Sequence, residues 1–308
     1  MRDTAHLKAL YNPLLRPFVA QLQADNTPAL DAARWPKISV VMPSYNQQDF
    51  IERSILSVLN QHYPNLEFII IDGGSTDGTV EVIRRYEQYL SVWLSEPDHG
   101  QSDALNKGFA RATGAIQGWL NSDDLYMPGA FQRVAMEFER HPDRRIVHGD
   151  WLNIDTDDQL LAYEYSFDFN VNQLKYEGFP LNAQAMFWRR EVRERFGQFD
   201  VALYNTMDYD MILRFGLNEG DRAFLRIPAV LGCFRRHEAQ KTRAFDERVL
   251  NEHRRMAGLH GYADKYQPLG QAKRWLYRLR RAYWYLRRGG LGYLSAKTCE
   301  ALSRPHAS

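Results

Sequence analysis

Cysteine is scarce in this chain of 308 residues, which has only two, Cys233 and Cys299, far apart. Two distant cysteines are too few for a disulfide scaffold or a zinc site, so we expect a reducing compartment. Long apolar runs are also missing, since runs such as 68–71 have only the length of a strand. Residues 1–25 lack the continuous apolar stretch of a signal peptide. These absences predict a cytoplasmic protein without a membrane-spanning helix.

An excess of charge of either sign is absent as well, because 39 Lys and Arg face 38 Asp and Glu, for a net charge of +1. A protein that binds duplex nucleic acid is usually more basic, so we expect no nucleic-acid partner. Hydrophobic residues make up 44% and charged residues 25% of the chain, which is typical of globular proteins and disfavours disorder. Aromatic residues, at 13%, are abundant. That abundance suits an enzyme with a polar, planar or sugar-like ligand but does not prove one.

Short β-rich runs alternate with helical patterns from Lys37 onward. The pattern predicts strands at 38–42, 66–71, 92–94, 115–120 and 145–147, with helices at 50–61, 79–89, 102–112 and 129–140. Continuous apolar strands that alternate with helices are typical of an α/β fold whose mostly parallel sheet has helices on both faces. Such sheets bind ligands at the carboxyl ends of their strands. The loops 43–46, 72–78, 96–101 and 121–124 fall at those ends.

Two less regular regions flank this alternation. Residues 1–36 predict a broken helix, interrupted by Pro13 and Pro17, that packs outside the main domain. After residue 150 we expect a hairpin over 151–169, a strand at 183–188, a helix at 206–218, a strand at 230–234, and largely helical chain from 244. We therefore divide the chain into an N-terminal helical extension (1–36), a main domain (37–243, with halves of about 37–125 and 126–243) and a helical C-terminal region (244–308).

Three polar segments follow predicted strands. Residues 121–124 place two adjacent carboxylates after a buried strand, which suits a hard divalent cation or an ordinary turn that caps the next helix. Residues 72–79 form a glycine-rich acidic loop that suits hydrogen bonds to a base or sugar, or a tight capping turn. Residues 96–108 combine acids, a histidine and amides, which suits a ligand loop or an exposed polar loop. Each segment alone leaves both alternatives open.

In this order the segments resemble glycosyltransferase family 2, whose members are inverting nucleotide-sugar transferases with a GT-A fold. The matching stretches are VVMPSYN at 40–46, IIDGGSTDGT at 70–79, GQSDALNKG at 100–108 and LNSDD at 120–124. They are similar to the family's nucleotide loop, base-binding segment, pyrophosphate segment and metal-binding D-x-D motif. The resemblance runs from about 38 to 242. It implies a Rossmann-like GT-A domain with a nucleotide half and an acceptor half.

The resemblance also implies site residues. The donor nucleotide would be bound by Pro43, Tyr45, Asn46, Asp72, Gly74, Ser75, Asp77, Gln101, Asn106, Lys107, Asn121, Ser122 and Arg235. A divalent metal, Mn²⁺ or Mg²⁺, would be held by Asp123 and His237. Acceptor and sugar contacts would come from Asp124, Gln184, Trp188 and Trp151, although core packing is the alternative for each tryptophan. Asn121 replaces the first Asp of D-x-D and offers no charge, so Asp124 is the nearest substitute carboxylate.

A general base is needed to take the proton of an attacking acceptor hydroxyl. The stretch NTMDYDMILR at 205–214 is similar to the family's base segment, with Met207 in its Glu position. We expect Asp208 to be the base and Asp210 to have a structural role. An acidic helix N-terminus favoured by the helix dipole is the alternative for both. The later stretch FRRHEAQKT at 234–242 is similar to the family's Arg-x-His segment, with Arg235 and Arg236 able to clamp phosphate.

The segment 273–288 is basic and aromatic and has no acidic residue. It suits the surface of an anionic membrane, a helix packed on the main domain or, less well, single-stranded nucleic acid. A membrane-hugging enzyme would act on a glycan or lipid-linked acceptor, as in bacterial cell-surface polysaccharide assembly, peripherally on the inner face of the cytoplasmic membrane.

The sequence thus predicts an inverting, metal-dependent glycosyltransferase with a UDP-, dTDP- or GDP-sugar donor. The alternative is a catalytically silent GT-A-like protein that binds a nucleotide sugar or acts as a scaffold. A nucleotidyltransferase is disfavoured, because 43–46 lacks the glycine-rich basic loop that such enzymes carry after the first strand.

Overall fold

The computed structural model describes residues 4–20, 35–178, 181–238, 240–241 and 247–303. Within these ranges the strands are β1 Ile38–Ser44, β2 Leu66–Asp72, β3 Val92–Ser95, β4 Ile116–Trp119, β5 Leu125–Tyr126, β6 Ile146–Ile154, β7 Leu160–Glu164, β8 Met186–Arg189 and β9 Phe224–Arg235. The helices are α1 Thr4–Ala20, α2 Ile51–Leu59, α3 Thr79–Arg85, α4 Gln101–Phe109, α5 Ala130–Arg140, α6 Val171–Tyr176, α7 Arg190–Phe196, α8 Met207–Glu219, α9 Glu247–Leu259 and α10 Pro268–Ser303.

One sheet joins all nine strands of the described chain in the order β3-β2-β1-β4-β8-β6-β9-β5, with β7 paired to β6. The first four strands are mutually parallel, and β6 and β9 are also parallel. The antiparallel pairings belong to the second half, where β8 pairs with both β4 and β6. The predicted α/β fold with a mostly parallel sheet and a helical C-terminal region is confirmed.

Strand β1 shows why the sheet forms where it does. All seven of its residues are buried, and successive side chains point to opposite faces. Val40 and Met42 pack in the cluster that includes Ile55 of α2, whereas Val41 packs with Leu105 of α4 in the other. A strand covered on both faces needs apolar residues at every position, which is the continuous pattern found here.

The register brings the strand ends to one edge of the sheet. Ser44 at the end of β1 pairs with Asp72 at the end of β2, which in turn pairs with Ser95 at the end of β3. On the other side of β1, Val41 pairs with Trp119 at the end of β4. The predicted ligand loops therefore leave the sheet side by side.

Helix α1 is continuous across Pro13 and Pro17, so the predicted break within it is wrong. Leu15 and Val19 are buried against the strands β5 to β7 and β9. The Asn12 amide accepts a hydrogen bond from the Leu160 backbone N–H at 2.9 Å and donates one to the Gln159 side chain. Packing and these bonds outweigh the low helix propensity of proline. The rest of the predicted extension, 21–34, lies outside the described residues.

The C-terminal region consists of α9 and α10, and α10 bends at Gly290, whose φ is +73°. The predicted boundary between main domain and C-terminal region, at 243–244, lies outside the described residues. None of the helices that the structure describes combines the length and the apolar character that crossing a membrane requires.

Candidate functional site

The loops after β1 and β2 are joined to each other by side chains from both. The Asn46 backbone N–H donates to Ser75 Oγ at 2.8 Å, and Asn46 Oδ1 accepts from the Thr76 N–H at 2.9 Å. Asn46 has a φ of +51°, a left-handed conformation that asparagine tolerates better than most residues. The Gln48 N–H donates to Asp77 Oδ2 at 3.0 Å. These bonds fix the two loops as one unit.

Asp72 shapes this unit from inside. Its carboxylate is completely buried and accepts hydrogen bonds from the backbone N–H groups of Gly74 (3.1 Å) and Ser75 (2.9 Å) and from Ser95 Oγ (2.7 Å). Gly74 has a φ of +82°, and a Cβ there would lie 3.3 Å from the Pro97 nitrogen. The predicted contact of Asp72 with a base stays a prediction, but its oxygens are already engaged within the loop.

Asp77 caps the start of α3. Its burial tends to raise the pKa, but hydrogen bonds from the Thr79 hydroxyl and from the N–H groups of Gln48 and Thr79 outweigh burial, so the pKa is lowered. The carboxylate is therefore ionised and holds the loop against the helix N-terminus. Tyr45 is the exposed aromatic residue of the loop after β1, whereas Pro43 is buried within the strand. This leaves Tyr45 available for a base.

Two predicted donor-binding residues that follow β3, Asn106 and Lys107 of α4, are engaged with other groups of the protein. Lys107 Nζ pairs with Glu96 at 3.0 Å and with Asp103 at 3.4 Å, and the Glu96 contact is the main cause of its raised pKa. The Asn106 side chain makes two 2.9 Å hydrogen bonds to the backbone of Phe199. Asn106 thus ties α4 to the second half of the sheet and has no amide atom left over.

The turn after β4 is anchored by Asp124, which is completely buried. Its carboxylate accepts hydrogen bonds from the Arg235 N–H (2.8 Å), from Asn121 Nδ2 (3.1 Å) and from the Gln184 amide. Burial and the neighbouring Asp123 charge raise its pKa well above the usual value. Asp124 and Gln184, predicted at the acceptor, are therefore buried partners of each other beneath the site.

Asp123 and His237 meet at the surface of that turn. The imidazole Nε2 lies 3.0 Å from Asp123 Oδ2, and the side chains are 6% and 17% exposed for the histidine and the aspartate. The Phe50 ring packs on the imidazole with ring centroids 4.7 Å apart. Two residues separated by 114 positions, both predicted as metal ligands, are thus brought together.

Arg235 holds this pair in place from below. Its side chain is fully buried, and its guanidinium donates to the carbonyl oxygens of Asp123 and Asp155, each at 2.7 Å, and pairs with Asp158 at 2.5 Å. The prediction that Arg235 binds the donor does not match this arrangement, because its donors point into the protein. Its neighbour Arg236 is exposed.

Asp208 is the second residue of α8, and its carboxyl group is largely buried. Burial is the main cause that raises its pKa, to about 6, against the hydrogen bond from the Tyr209 N–H at 2.7 Å and the charge of Lys241. A carboxylate that titrates near neutrality is suited to accept a proton. Asp210, the predicted runner-up, is bonded to Arg214 at 2.8 Å and His260 at 3.2 Å. Asp210 is therefore structural in this arrangement.

Lys241 connects Asp208 to the turn after β4. Its ammonium lies 3.5 Å from Gln101 Oε1, and Gln101 Nε2 donates to Asn121 Oδ1 at 2.7 Å. The ammonium also lies 3.9 Å from the centre of the Tyr204 ring. Burial lowers its pKa, against the charges of Asp208 and Glu252, but neither these nor other carboxylates of the described chain form an ion pair with it. The sequence analysis gave Lys241 no role in the site, although Lys241 lies only four residues after His237, a predicted metal ligand.

Glu252 of α9 is a second residue that sequence analysis missed. Its buried carboxylate accepts hydrogen bonds from the N–H groups of Tyr204 (2.8 Å), Asn205 and Thr206 (both 3.0 Å) and from the Thr206 hydroxyl (2.8 Å). These residues lead directly into Asp208. Glu252 follows Thr206 by 46 residues and lies on a different helix, α9, so no local sequence pattern points to it.

The remaining predicted acceptor residues lie in or on the core. Trp188 is completely buried against Trp119 and Phe109, so it offers no face to a sugar, and the structure supports the core-packing alternative. Trp151 of β6 is half-buried and packs on the second cluster of the core. Ser122, which was predicted to bind the donor nucleotide, is also buried, and its carbonyl accepts a hydrogen bond from the Ser54 hydroxyl at 2.9 Å.

A divalent metal fits the Asp123–His237 pair. Carboxylate oxygen and imidazole nitrogen are both suitable ligands, and their 3.0 Å separation matches neighbouring ligands of an octahedral ion with bonds of about 2.1 Å. The part of the chain that the structure describes holds no cluster of three or more ligating side chains. A metal here would therefore need oxygens from a ligand and water to complete its coordination.

Comparison with known proteins supplies the context of this site. The family model described as "Glycosyl transferase family 2" matches residues 39–197, just over half of the chain. The putative teichuronic acid biosynthesis glycosyltransferase TuaG of Bacillus subtilis is 42% identical over 94 residues, which cover 30% of this chain and 37% of that protein. The matches thus span little more than a third of the length of such curated relatives.

Two solved structures resemble the whole fold. S. aureus TarS in complex with UDP-GlcNAc gives a TM-score of 0.62 at 16% identity, over 82% of this chain and 74% of that one. The mannosyltransferase PcManGT from Pyrobaculum calidifontis, in complex with GDP-Man and Mn²⁺, gives 0.55 at 19% identity, over 98% and 90%. At these identities the likeness is one of fold, and it confirms the expected GT-A architecture.

Proposed function

Since the chain belongs to glycosyltransferase family 2, we propose that it is an inverting glycosyltransferase that moves a sugar from a nucleotide-diphosphate donor to an acceptor hydroxyl. One observation carries the proposal: the turn that holds Asp123 of the metal-competent pair Asp123 and His237 is bonded through Gln101 to Lys241, whose charge acts on the carboxyl group of Asp208. This arrangement combines a place for the leaving diphosphate with a group that can accept a proton.

The residues divide the chemistry between them. The acceptor oxygen forms the new bond to the anomeric carbon as the bond from that carbon to the diphosphate breaks, and Asp208 takes the acceptor proton. A divalent ion bound by Asp123 and His237 would neutralise charge on the departing diphosphate. Lys241 supplies a fixed positive charge nearby, in a half-buried place where it acts strongly.

The donor would lie on the joined loops after β1 and β2. Tyr45 presents an exposed ring beside backbone groups that Asn46, Ser75 and Asp77 hold in place. We propose a UDP-, dTDP- or GDP-sugar as donor. Neighbours of the same fold bind UDP-GlcNAc and GDP-Man, which supports a nucleotide sugar without selecting one.

The acceptor is proposed to be a glycan or a lipid-linked glycan in cell-surface polysaccharide assembly. The similarity to a protein named for teichuronic acid biosynthesis supports this choice of acceptor class. With a lipid-linked acceptor, the enzyme would work in the cytoplasm at the inner face of the membrane.

The deciding experiment is calorimetric titration of the full chain with UDP, GDP and dTDP, each with Mn²⁺ and with EDTA. We expect one nucleotide to bind, and to bind at least tenfold more weakly with EDTA. Asp123→Asn should lose that metal dependence, whereas Glu139→Gln, a control at an exposed position of α5, should keep it.

The alternative is a silent protein of the same fold, favoured by Asn121 and by Met207, which is buried and accepts a hydrogen bond from Ser102 Oγ at 3.0 Å. Nucleotide binding without hydrolysis or transfer of any matching nucleotide sugar, with acceptor extract present, would support that alternative. Turnover that Asp208→Asn abolishes would exclude it.

A further inference from the structure

Helix α10 is fixed to the rest of the protein along one face. Arg281 pairs with Glu177 at 2.6 Å, and the Tyr277 ring stacks on that of Tyr176 with centroids 6.1 Å apart. Trp284 packs on Phe167 with ring centroids 4.6 Å apart. These contacts determine which side of the helix faces away from the protein.

The outward side is apolar. Six large side chains between the helix start and the bend at Gly290 are from 41% to 67% exposed: Leu269, Trp275, Leu276, Leu279, Tyr283 and Leu286. At about 100° per residue they fall within about one third of the helix circumference, opposite the docked face. We call these six residues the outer stripe. Large apolar side chains gathered in one exposed stripe indicate an interaction surface.

A row of basic residues borders the outer stripe. Arg280 and Arg287 are seven residues apart, so they lie along one edge of it, and both are exposed. Lys273, seven residues earlier, donates from its ammonium to the Tyr176 hydroxyl at 3.1 Å and therefore belongs to the docked face. The sequence has no acidic residue between Asp264 and Glu300. The surface is therefore apolar and positive at once, which is the character of helices that lie in a membrane interface.

We propose that α10 docks, through the outer stripe and its basic edge, on the surface of a bilayer that contains anionic phospholipids. Leucine side chains would enter the acyl boundary, Trp275 and Tyr283 would lie at headgroup depth, and the basic row would contact lipid phosphates. The helix lies along the bilayer and does not cross it, in keeping with the absence of a spanning helix in the described chain.

Charge complementarity selects this occupant. A second copy of the chain would bring the same acid-free basic surface, so the basic rows of two facing helices would repel each other. An anionic bilayer is complementary to both the apolar and the positive part. The inference deepens the proposed function, since it places the enzyme beside a lipid-linked acceptor, but its surface does not depend on the transfer reaction.

The test is flotation of the full chain with vesicles of phosphatidylcholine alone or with 30% phosphatidylglycerol. We expect at least tenfold more binding to the anionic vesicles. One variant removes apolar area, Leu276→Gln with Leu279→Gln, and its control is Leu259→Gln, an equally exposed leucine at the end of α9. Another variant removes charge, Arg280→Gln with Arg287→Gln, and its control is Arg84→Gln with Arg133→Gln on other helices.

Each test variant should lose at least tenfold in vesicle binding, while both controls should bind like the unchanged protein. The proposal would be overturned if all variants bound the vesicles equally, or if binding of the unchanged protein did not depend on phosphatidylglycerol. Two other results would also overturn it. In the first, the protein does not bind vesicles but forms a dimer that Leu276→Gln with Leu279→Gln disrupts. In the second, it does not bind vesicles but binds single-stranded RNA through the basic row. Asp208→Asn should still float with vesicles, and the α10 variants should still bind nucleotide, so failure of the transfer reaction and failure of docking are distinguishable.

Discussion

At the scale of single residues, the carboxyl group of Asp208 links burial to acidity. Burial raises its pKa to about 6, so the ionised form that can accept a proton dominates only above that pH. We expect the transfer rate to rise about tenfold per pH unit below pH 6 and to level off above pH 7. Rates at saturating donor from pH 5 to 9 measure this. A rate at saturating donor that is independent of pH between 5 and 7 would contradict it.

Replacement of Asp208 should lower activity and raise stability. Asp208→Asn should lower turnover by about 10² to 10⁴. The folded pKa is raised above the unfolded value, so the ionised carboxylate costs stability above pH 6, and this cost fades as the pH falls towards 4. We therefore expect the variant to unfold at a higher urea concentration than the parent at pH 8, with a smaller difference at pH 5. A lower midpoint at pH 8 would contradict this environment of Asp208.

Two lysines near the site make a matched comparison. Lys107 is paired with two carboxylates, whereas Lys241 has none in the described chain and faces the Gln101 amide and the Tyr204 ring. An unpaired ammonium gains more from a diphosphate, so Lys241→Met should weaken nucleoside diphosphate binding about tenfold or more.

Lys107→Met is the control, and its effect on the dissociation constant should be several times smaller. The opposite ranking of the two variants in the same titration would return the diphosphate contact to Lys107, the residue that the sequence resemblance selects.

At the scale of elements, α9 positions the start of α8. Glu252 accepts four hydrogen bonds from residues 204–206, just before Asp208, the proposed base. A glutamine can accept fewer of them, so Glu252→Gln should lower kcat and leave the KM for the donor nearly unchanged. We also expect a loss of about 1–3 kcal/mol in unfolding free energy.

Glu247→Gln, at the exposed start of the same helix, is the control for both measurements. An unchanged kcat in Glu252→Gln, with the expected loss of stability, would show that Glu252 serves the fold alone and does not position Asp208.

Strands and loops that have a pattern in the local sequence could be predicted. The strands β1 and β2 are continuous apolar runs, and the polar loops after them follow from chain order in a parallel sheet. Contacts between residues far apart in the chain could not be predicted. Arg235 and Glu252 bond to residues more than 40 positions away, and only the tertiary packing brings these partners together. For the same reason Trp188 gave no sign of whether it would face a sugar or the core.

At the scale of the whole molecule, the site draws on both halves of the sheet. The family model ends at residue 197, yet Asp208, His237 and Lys241 all lie beyond it. A ligand that bridges the two halves binds only the folded protein, and it stabilises by about 2.7 kcal/mol at a concentration a hundred times its dissociation constant.

We therefore expect Mn²⁺ with the cognate nucleoside diphosphate to raise the unfolding temperature by several degrees, and Mn²⁺ alone to have little effect, because the protein offers it two ligands. The measurement is a thermal melt with each component and with EDTA. A shift as large with the nucleotide and EDTA would show that the diphosphate is held without metal.

The order of these residues along the chain has a consequence for biosynthesis. The loops after β1 and β2 emerge early from the ribosome, whereas His237, Lys241 and Glu252, which accepts the hydrogen bonds of residues 204–206, emerge much later. Because a domain tends to fold as a unit, the donor loops of a nascent chain are held firmly only after the strands of the second half of the same sheet have emerged. The amphipathic α10 follows α9 along the chain. Under the two proposals above, a nascent chain would therefore complete its proposed catalytic site shortly before it exposes its proposed lipid-binding helix.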